Sequence, residues 1–286
     1  MSVVLTPAKA ANRLTRILNV FAEAHGTPRF PIDVTALALG CADTFQWTDP
    51  ISQVAGADIQ SFEGALIASD NCRKWMLLYN DRITSPGRIR FTQAHELGHY
   101  LLHRSLRSAF QCTERDMTDW SEDEKNIEAQ ADVFASTLLM PLDDFRSEGT
   151  GAAADFDFLG TCADRYGVSL TAATLRWLQH TEIPAILVVH RDGYIDWAWS
   201  SKPAMKAGAF FRTKGRPVGV PMGTLAGDSH IAHNRIGQEI PAKHWFPHAS
   251  TGDTLRECKI SADQYDSVMT LLVIPRSVSV WPLESL

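Results

Sequence analysis

Apolar residues recur at helical spacing near the start of the chain. The pattern follows Thr6, a typical helix N-cap, and ends near Gly26, and its members are Leu14, Ile17, Leu18 and Phe21. A second short helix is predicted over residues 33–39. The pattern then changes to two strand-like apolar runs, at residues 62–68 and 74–79. The N-terminal region therefore predicts two helices followed by a small sheet.

The next helix, predicted over residues 91–104, has two chemically different sides. At about 100° per residue, its apolar back is formed by Phe91, Ala94, Leu97, Leu101 and Leu102. The opposite arc carries Thr92, His95, Glu96, His99 and His103. Gly98 falls at the edge of the apolar back, where the missing side chain would allow a neighbouring element to approach closely.

A further helix is predicted after Ser121, which with Glu124 has the form of a capping box, and Pro141 follows its end. Residues 149–154 are small and form a plausible linker. Two helices are then predicted, over residues 156–165 and 170–180, and their connection resembles the turn of a helix-turn-helix.

From residue 183 onward the pattern favours strands. A hairpin is predicted from residues 186–189 and 194–199 around an Asp-Gly turn, and another strand from residues 268–274. The sequence thus predicts an α+β protein with three parts. They are an N-terminal domain at 1–148, a helical segment at 149–182 and an α+β domain at 183–286.

Composition restricts the class of protein. The 286 residues are 45% hydrophobic and 21% charged, which is typical of a globular protein with a sizeable core. The net charge of -6, with scattered Lys and Arg, disfavours broad nucleic-acid binding. Five well-separated cysteines argue against a disulfide framework or a thiolate zinc cluster. Without a signal-like or membrane-length apolar run, we expect a cytoplasmic protein.

The polar arc of the helix at 91–104 has the spacing of a metal site. His95 and His99 are four residues apart, so their imidazoles can bind one zinc ion at about 2.0–2.1 Å. Glu96 lies on the same side, as the general base of a metallopeptidase does. A catalytic zinc also needs a third protein ligand and an open fourth position for water.

The helix after Ser121 offers that third ligand. Its apolar stripe consists of Ile127, Ala131, Phe134, Ala135 and Leu138, and Glu128 projects inside the edge of this stripe. An unpaired carboxylate there would be costly, so we expect a cation beside it. Asp132, one turn on, could accept a hydrogen bond from a ligating histidine. His103, Glu114, Asp116 and Glu124 are rival ligands, which we interpret as solvated polar groups.

These segments resemble the ImmA/IrrE family of bacterial metallopeptidases. The resemblance covers roughly residues 60–145 and is carried by residues 91–103 (FTQAHELGHYLLH), 127–135 (IEAQADVFA) and 138–141 (LLMP). It implies a zincin-like, gluzincin-type core in which His95, His99 and Glu128 bind Zn²⁺ and Glu96 is the catalytic base. Many family members have Asn where this chain has Asp132, and either side chain can accept the hydrogen bond.

The resemblance also implies a function. The better-known members of the family are intracellular, site-specific endopeptidases that cleave a helix-turn-helix repressor and so induce stress-response or mobile-element genes. The IrrE-like branch adds a helix-turn-helix-like middle segment and a GAF-like sensor domain, similar in order and length to residues 149–182 and 183–286. A helix-turn-helix repressor is thus the expected partner, and a small-molecule signal would act at the C-terminal domain.

Two other functions remain as alternatives. The first is a DNA-binding transcriptional regulator with a structural zinc site, in which residues 170–180 would enter a major groove. That helix offers only Arg176 as a strong phosphate partner, so we favour a supporting helical hairpin. The second is a toxin or toxin/antitoxin-associated protein that acts through its C-terminal domain.

In the C-terminal domain, aromatic residues and histidines give weaker signals. The aromatic residues are predicted to form core, and they are Trp197, Trp199, Phe210, Phe211, Trp245 and Trp281. The histidines lack ligand spacing tied to a helix, and we interpret them as loop residues; they are His230, His233, His244 and His248.

Overall fold

A computed structural model describes residues 6–58, 62–112, 122–262 and 266–281, with the side chains of residues 111 and 112 excluded. Within those ranges the protein is a mixed α+β structure with two sheets, as predicted. Its contacts divide it into two compact units. The first is Met1–Glu148 with Ala163–Ser169, and the second is Gly149–Cys162 with Leu170–Leu286.

The first unit contains five complete helices and a four-stranded sheet in its described part. Its helices are α1 (Pro7–His25), α2 (Val34–Phe45), α3 (Pro86–His103), α4 (Glu122–Leu139) and α5 (Leu142–Glu148). Its strands are β1 (Ile51–Ala57), β2 (Gly64–Ala68), β3 (Trp75–Asn80) and β4 (Ala109–Cys112). The strand order is β1-β3-β2-β4, with β1 parallel to β3 and the other pairs antiparallel.

Local capping explains where these helices begin. The Thr6 hydroxyl accepts a hydrogen bond from the Lys9 amide, and Gly26 ends α1 with a φ of 62°. Helix α3 begins at Pro86, five residues before the predicted start, because Ser85 caps it and proline suits the first helical turn. The capping box predicted at Ser121 lies outside the described residues.

The two edge strands of the first sheet, β1 and β4, were not predicted from the sequence. Strand β4 has only four residues, which is too short to show an alternating pattern. Strand β1 contains Ser, Gln, Gly and three small apolar positions, and it is a strand because β3 pairs with it in parallel. Strand pairing in the folded chain therefore decided these two elements.

The second unit is built on a five-stranded antiparallel sheet. Helix α6 (Phe156–Tyr166) crosses the boundary in sequence between the units, and α7 (Leu170–His180) follows. The remaining elements are β5 (Ala185–Arg191), β6 (Tyr194–Ser200), α8 (Lys202–Lys206), β7 (His233–Pro241), β8 (Thr254–Ala262) and β9 (Ser267–Val273). The strand order is β6-β5-β9-β8-β7. The GAF-like assignment of this unit, and the three-part division of the chain, stay predictions.

The predicted hairpin is present as β5 and β6, with Asp192 and Gly193 both at positive φ in the turn. Helix α8 and strands β7 and β8 were not predicted. The core prediction for the aromatic residues holds for Trp245, which is buried. It is wrong for three others, which are exposed by 36–49% and are Trp197, Trp199 and Trp281.

The exposure of the two β6 tryptophans has a geometric cause. A register shift between Val189 and His190 interrupts the pairing of β5 with β6. Ile195 and Ala198 consequently both contact the core, although they are three residues apart. Simple alternation from Ile195 would have placed Trp197 and Trp199 inside.

Two further expectations concern disulfide bonds and membrane-spanning helices. No disulfide joins the cysteines whose side chains the structure describes, which are at positions 41, 72, 162 and 258. Within the described residues, no helix combines the length and apolar character that crossing a membrane requires.

Candidate metal centre

A close helix crossing builds the centre. A Cβ placed on Gly98 of α3 would lie 3.0 Å from Phe134 Cδ1 and 3.3 Å from Ala131 Cα, both on α4. Glycine therefore allows the two helices to approach more closely than a larger residue would. The close approach expected at Gly98 is confirmed. It brings Glu128 of α4 to the histidines of α3.

Three potential metal-binding side chains meet at this crossing. His95 Nε2 lies 3.0 Å from His99 Nε2 and 3.0 Å from Glu128 Oε2. His99 Nε2 lies 3.4 Å from Glu128 Oε1. Tetrahedral ligands at zinc distances are about 3.3 Å apart, so the spacing fits such a site. Within the described chain, this is the one group of His, Cys, Asp or Glu residues with metal-binding spacing.

Asp132 occupies the position expected of an outer partner. Its Oδ1 lies 2.9 Å from His95 Nδ1. Because a carboxylate accepts, the bond places the imidazole proton on Nδ1 and leaves a lone pair on Nε2, facing Glu128. This is the tautomer that a metal ligand requires.

His103 differs from its sequence-based interpretation. We expected a partly exposed residue near the helix end, but it is 3% exposed and its Nδ1 lies 3.1 Å from His99 Nδ1. Its Nε2 lies 3.3 Å from Gln130 Oε1. Because the amide oxygen accepts, His103 carries its proton on Nε2 and can accept the Nδ1 proton of His99. His99 then also presents a lone pair on Nε2.

Helical spacing contained a signal for His103 alone. His103 lies one turn after His99, whereas Gln130 lies two residues after Glu128 and so projects from a different side of α4. From the sequence, His103 was expected to be partly exposed because it lies at the end of α3. Strand β4 covers that end, where Phe110 stacks on the His99 ring at 4.7 Å between centroids.

The carboxylate of Glu96 is fully buried beside the ligand atoms. Neither of its oxygens has a hydrogen-bond partner within the described residues. Burial raises its pKa to about 8, with His95 opposing that rise and Glu128 adding to it. A buried carboxylate without partners fits a centre that admits a cation and a water molecule.

Gly64 at the start of β2 forms the wall behind Glu96. A Cβ there would lie 2.8 Å from Glu96 Oε1 and 2.4 Å from Thr92 Cγ2. Only glycine leaves room for both side chains in this arrangement. Sequence reasoning missed Gly64, because the contact depends on the packing of β2 against α3.

Charge states in the centre suit metal binding. Burial lowers the pKa of His99 to about 4. Burial also opposes ionisation of Glu128, but hydrogen bonds and charge interactions with His95 and His99, in the forms that carry a proton on Nε2, outweigh it and lower the Glu128 pKa to about 2. Near neutral pH the candidate ligands are thus imidazole and carboxylate. Lone pairs this close repel one another unless a proton or a metal cation lies between them.

The rival ligands are placed elsewhere or lie outside the described chain. Glu124 contacts Arg107 at 3.4 Å, and Glu114 and Asp116 are not described. The C-terminal histidines belong to no metal-binding group among the described residues. One of them, His233, begins strand β7 and so is not the loop residue expected.

Arg176 is also placed differently from a DNA-contacting residue. It is 6% exposed, and its guanidinium lies 3.0 Å from His180 Nε2 on the same helix. A phosphate could not reach it in this structure, which weakens the major-groove interpretation of α7.

Comparison with known proteins gives a family-model match and a likeness of fold. The sequence model of the IrrE N-terminal-like domain, a peptidase family, matches residues 54–178. A Mycobacterium tuberculosis transcriptional regulator of known structure superimposes with a TM-score of 0.54 at 16% identity, covering 94% of this chain and 76% of that one. This likeness shows the fold alone. No curated protein matches. The match over residues 54–178 supports an ImmA/IrrE family metallopeptidase.

Proposed function

We propose that the protein is a zinc metallo-endopeptidase whose zinc ligands are His95, His99 and Glu128. The observation that carries this proposal is the meeting of these three side chains, whose imidazole nitrogens and carboxylate oxygens lie 3.0–3.4 Å apart beside the buried carboxylate of Glu96. Two imidazoles and one carboxylate are a typical catalytic zinc set, and they leave one position open. A structural site would usually fill all four positions and needs no neighbouring base.

The chemistry divides between the metal and the chain. When bound, zinc supplies a Lewis acid that makes water more acidic and polarises a peptide carbonyl. Glu96 accepts the proton of the attacking water and returns it to the leaving amine. Asp132 and His103 keep the two ligating histidines in the required tautomers. Gly64 leaves the space in which the Glu96 carboxylate lies.

Strand β4 is the proposed docking edge for the substrate. It pairs with β2 on one side and is the last strand of the described sheet, so its other side can accept an extended peptide. Its Phe110 touches the ring of His99, which places the edge next to the metal centre. Main-chain pairing would hold a peptide there with its bonds running past Glu96.

The proposed substrate is a helix-turn-helix transcriptional repressor, cleaved at one site in the cytoplasm to derepress stress-response or mobile-element genes. Support comes from the family and from a sequence without a disulfide framework. The fold relative is itself a transcriptional regulator, a description that belongs to that protein. We assign catalysis to residues 1–148, a linking role to 149–182 and a sensory role to 183–286.

A cleavage assay tests this proposal. The zinc-loaded protein is incubated with helix-turn-helix repressors from the same organism, and products are identified by mass spectrometry. We expect a single cut by the wild type and by the Glu122→Gln control, whose carboxylate is exposed on α4. Glu96→Gln should bind zinc normally yet cleave at least 100-fold more slowly, as expected for loss of a general base. Cleavage by Glu96→Gln at the wild-type rate would refute the assignment.

A DNA-binding regulator is the alternative function, and the same protein preparation tests it. Tight, salt-sensitive binding to duplex DNA, with no cleavage of any repressor, would favour it. A toxin-like protein would instead act through residues 183–286 and would be unaffected by loss of zinc.

A further inference from the structure

One face of the C-terminal sheet buries a cluster of polar side chains. The cluster consists of His190 on β5, Glu257 and Lys259 on β8, and Thr270 on β9, each exposed by 4% or less. Lys259 is paired with Thr270, and Thr270 with Val188, two residues before His190. Cross-strand and diagonal neighbours on one face lie within side-chain reach. The polar groups therefore share one region of an otherwise apolar core.

Two members of the cluster are held by the loop that crosses this face. The Glu257 carboxylate accepts hydrogen bonds from the Leu225 and Ala226 amides, at 3.0 and 2.8 Å. The Lys259 ammonium donates to the Asp228 carbonyl at 2.6 Å. An ammonium has three N–H donors, so two remain. Within the described residues, no carboxylate lies within 4.0 Å of Lys259.

The other two members lack partners. Thr270 Oγ1 and His190 Nε2 are fully buried atoms without a hydrogen bond to any residue that the structure describes. Buried polar atoms are rarely left unpaired, because desolvation is then uncompensated. Two such atoms beside a buried ammonium with spare donors indicate a missing acceptor.

We propose that Lys259, Thr270 and His190 bind the carboxylate of a small organic acid inside the C-terminal unit. Because Glu257 is buried in the same cluster, a singly charged carboxylate adds less buried negative charge than a doubly charged phosphate would. The Thr270 hydroxyl and the His190 imidazole supply neutral hydrogen bonds to the oxygens. Val188 and Ile195, both buried nearby on the same sheet, would contact a short aliphatic chain.

Electrostatics agree with this geometry. Burial, reinforced by the charge of Lys259, lowers the pKa of His190 to about 4, and Asp196 opposes that shift. His190 is thus neutral near pH 7 and adds no second positive charge. The Glu257 carboxylate is stabilised mainly by backbone N–H groups, and its charge and that of Asp228 act on Lys259 without using the two remaining N–H donors of the ammonium.

The proposal does not depend on the peptidase centre, and it gives the C-terminal unit a ligand class of its own. The test uses the full chain at constant ionic strength. Thermal unfolding and isothermal titration calorimetry are measured with sodium acetate, propionate and butyrate, and with chloride and phosphate in parallel. The variants are Lys259→Met and Thr270→Val, with Lys214→Met as a control that removes an exposed lysine.

At least one carboxylate should bind wild type and Lys214→Met with a Kd below 10 mM, an order of magnitude suited to a single buried ion pair, and raise Tm. Lys259→Met should weaken binding at least 10-fold. Thr270→Val removes an unpartnered buried hydroxyl, so its Tm without carboxylate should rise while its carboxylate-dependent shift shrinks.

Three results would overturn the proposal. The first is the absence of any carboxylate-dependent shift, and the second is a response to phosphate alone. The third is an unchanged affinity in Thr270→Val, which carries the test even if Lys259→Met fails to fold, because valine is nearly isosteric with threonine.

Discussion

His103 Nδ1 lies 3.1 Å from His99 Nδ1, which connects the end of α3 to a proposed metal ligand. Gln130 on α4 completes this connection, because its amide oxygen fixes the proton on His103 Nε2. Each proposed histidine ligand thus has an outer acceptor, Asp132 for His95 and His103 for His99. Asp132 and Gln130 both lie within about one turn of Glu128 on α4.

Gln130→Met should weaken zinc binding about 10- to 100-fold, the usual effect of losing an outer hydrogen bond to a metal ligand. Methionine keeps the volume but removes the acceptor that sets the His103 tautomer. Zinc affinity is measured by competition with a chromogenic chelator. Gln130→Glu restores an acceptor and should recover affinity, and Gln53→Met, on the exposed part of β1, is the control. Equal affinity in Gln130→Met and wild type would show that His103 does not position His99.

Asp132→Ala should produce a similar loss through His95, about 10- to 100-fold in zinc affinity. Asp132→Asn keeps an acceptor oxygen 2.9 Å from His95 Nδ1 and should lose much less. Asp123→Ala, at the exposed start of α4, removes the same charge without touching the centre. If Asp132→Asn bound zinc as weakly as Asp132→Ala does, the loss of affinity would come from the carboxylate charge rather than from the hydrogen bond.

Gly64→Ala should reduce cleavage about 10- to 100-fold while zinc content stays near normal, because a 1 Å displacement of a catalytic group costs about that much. The added methyl would lie 2.8 Å from Glu96 Oε1, so the carboxylate must move. Metal content and initial cleavage rate are measured together. Gly40→Ala in α2 meets no atom within 4 Å and should leave both unchanged. Full activity in Gly64→Ala would mean that Glu96 tolerates displacement.

Stability should depend on pH through Asp144. Its carboxylate accepts bonds from Arg165, at 2.9 and 2.8 Å, and from Tyr166 at 2.6 Å. Burial opposes ionisation, but these bonds outweigh it and hold the Asp144 pKa below its usual value of 3.8. A lowered folded-state pKa stabilises the fold above the unfolded-state pKa, and this contribution disappears as pH falls through the folded value.

Asp144→Asn should therefore lose about 1–2 kcal/mol at pH 7, as expected for charge-assisted hydrogen bonds that are partly exposed. The difference from wild type should narrow below about pH 4, where protonation weakens the native interaction. Chemical denaturation between pH 2.5 and 7 measures both. Asp143→Asn, an exposed neighbour, should track wild type throughout. A gap that stays constant with pH would contradict the assigned role of Asp144.

Sequence alone determined the elements whose signals are local. Helical periodicity and caps predicted α1, α7 and the start of α2, which continues through Gly40 to Phe45, and the turn at Asp192-Gly193 predicted the β5–β6 hairpin. Spacing brought His95, Glu96 and His99 to one helix face, and an inward-facing carboxylate identified Glu128. These features depend on neighbours within about one or two turns of the chain, so a one-dimensional pattern records them.

Tertiary structure decided what depends on contacts between distant segments. Gly64 faces Glu96 because β2 packs on α3, and Gln130 reaches His103 because α4 crosses α3 at Gly98. The edge strands β1 and β4 exist through pairing, and the bulge at Val189 and His190 exposes Trp197 and Trp199. The buried cluster of Lys259, Thr270 and His190 likewise forms only when three strands pair. Such contacts depend on packing and register, which no local window of sequence contains.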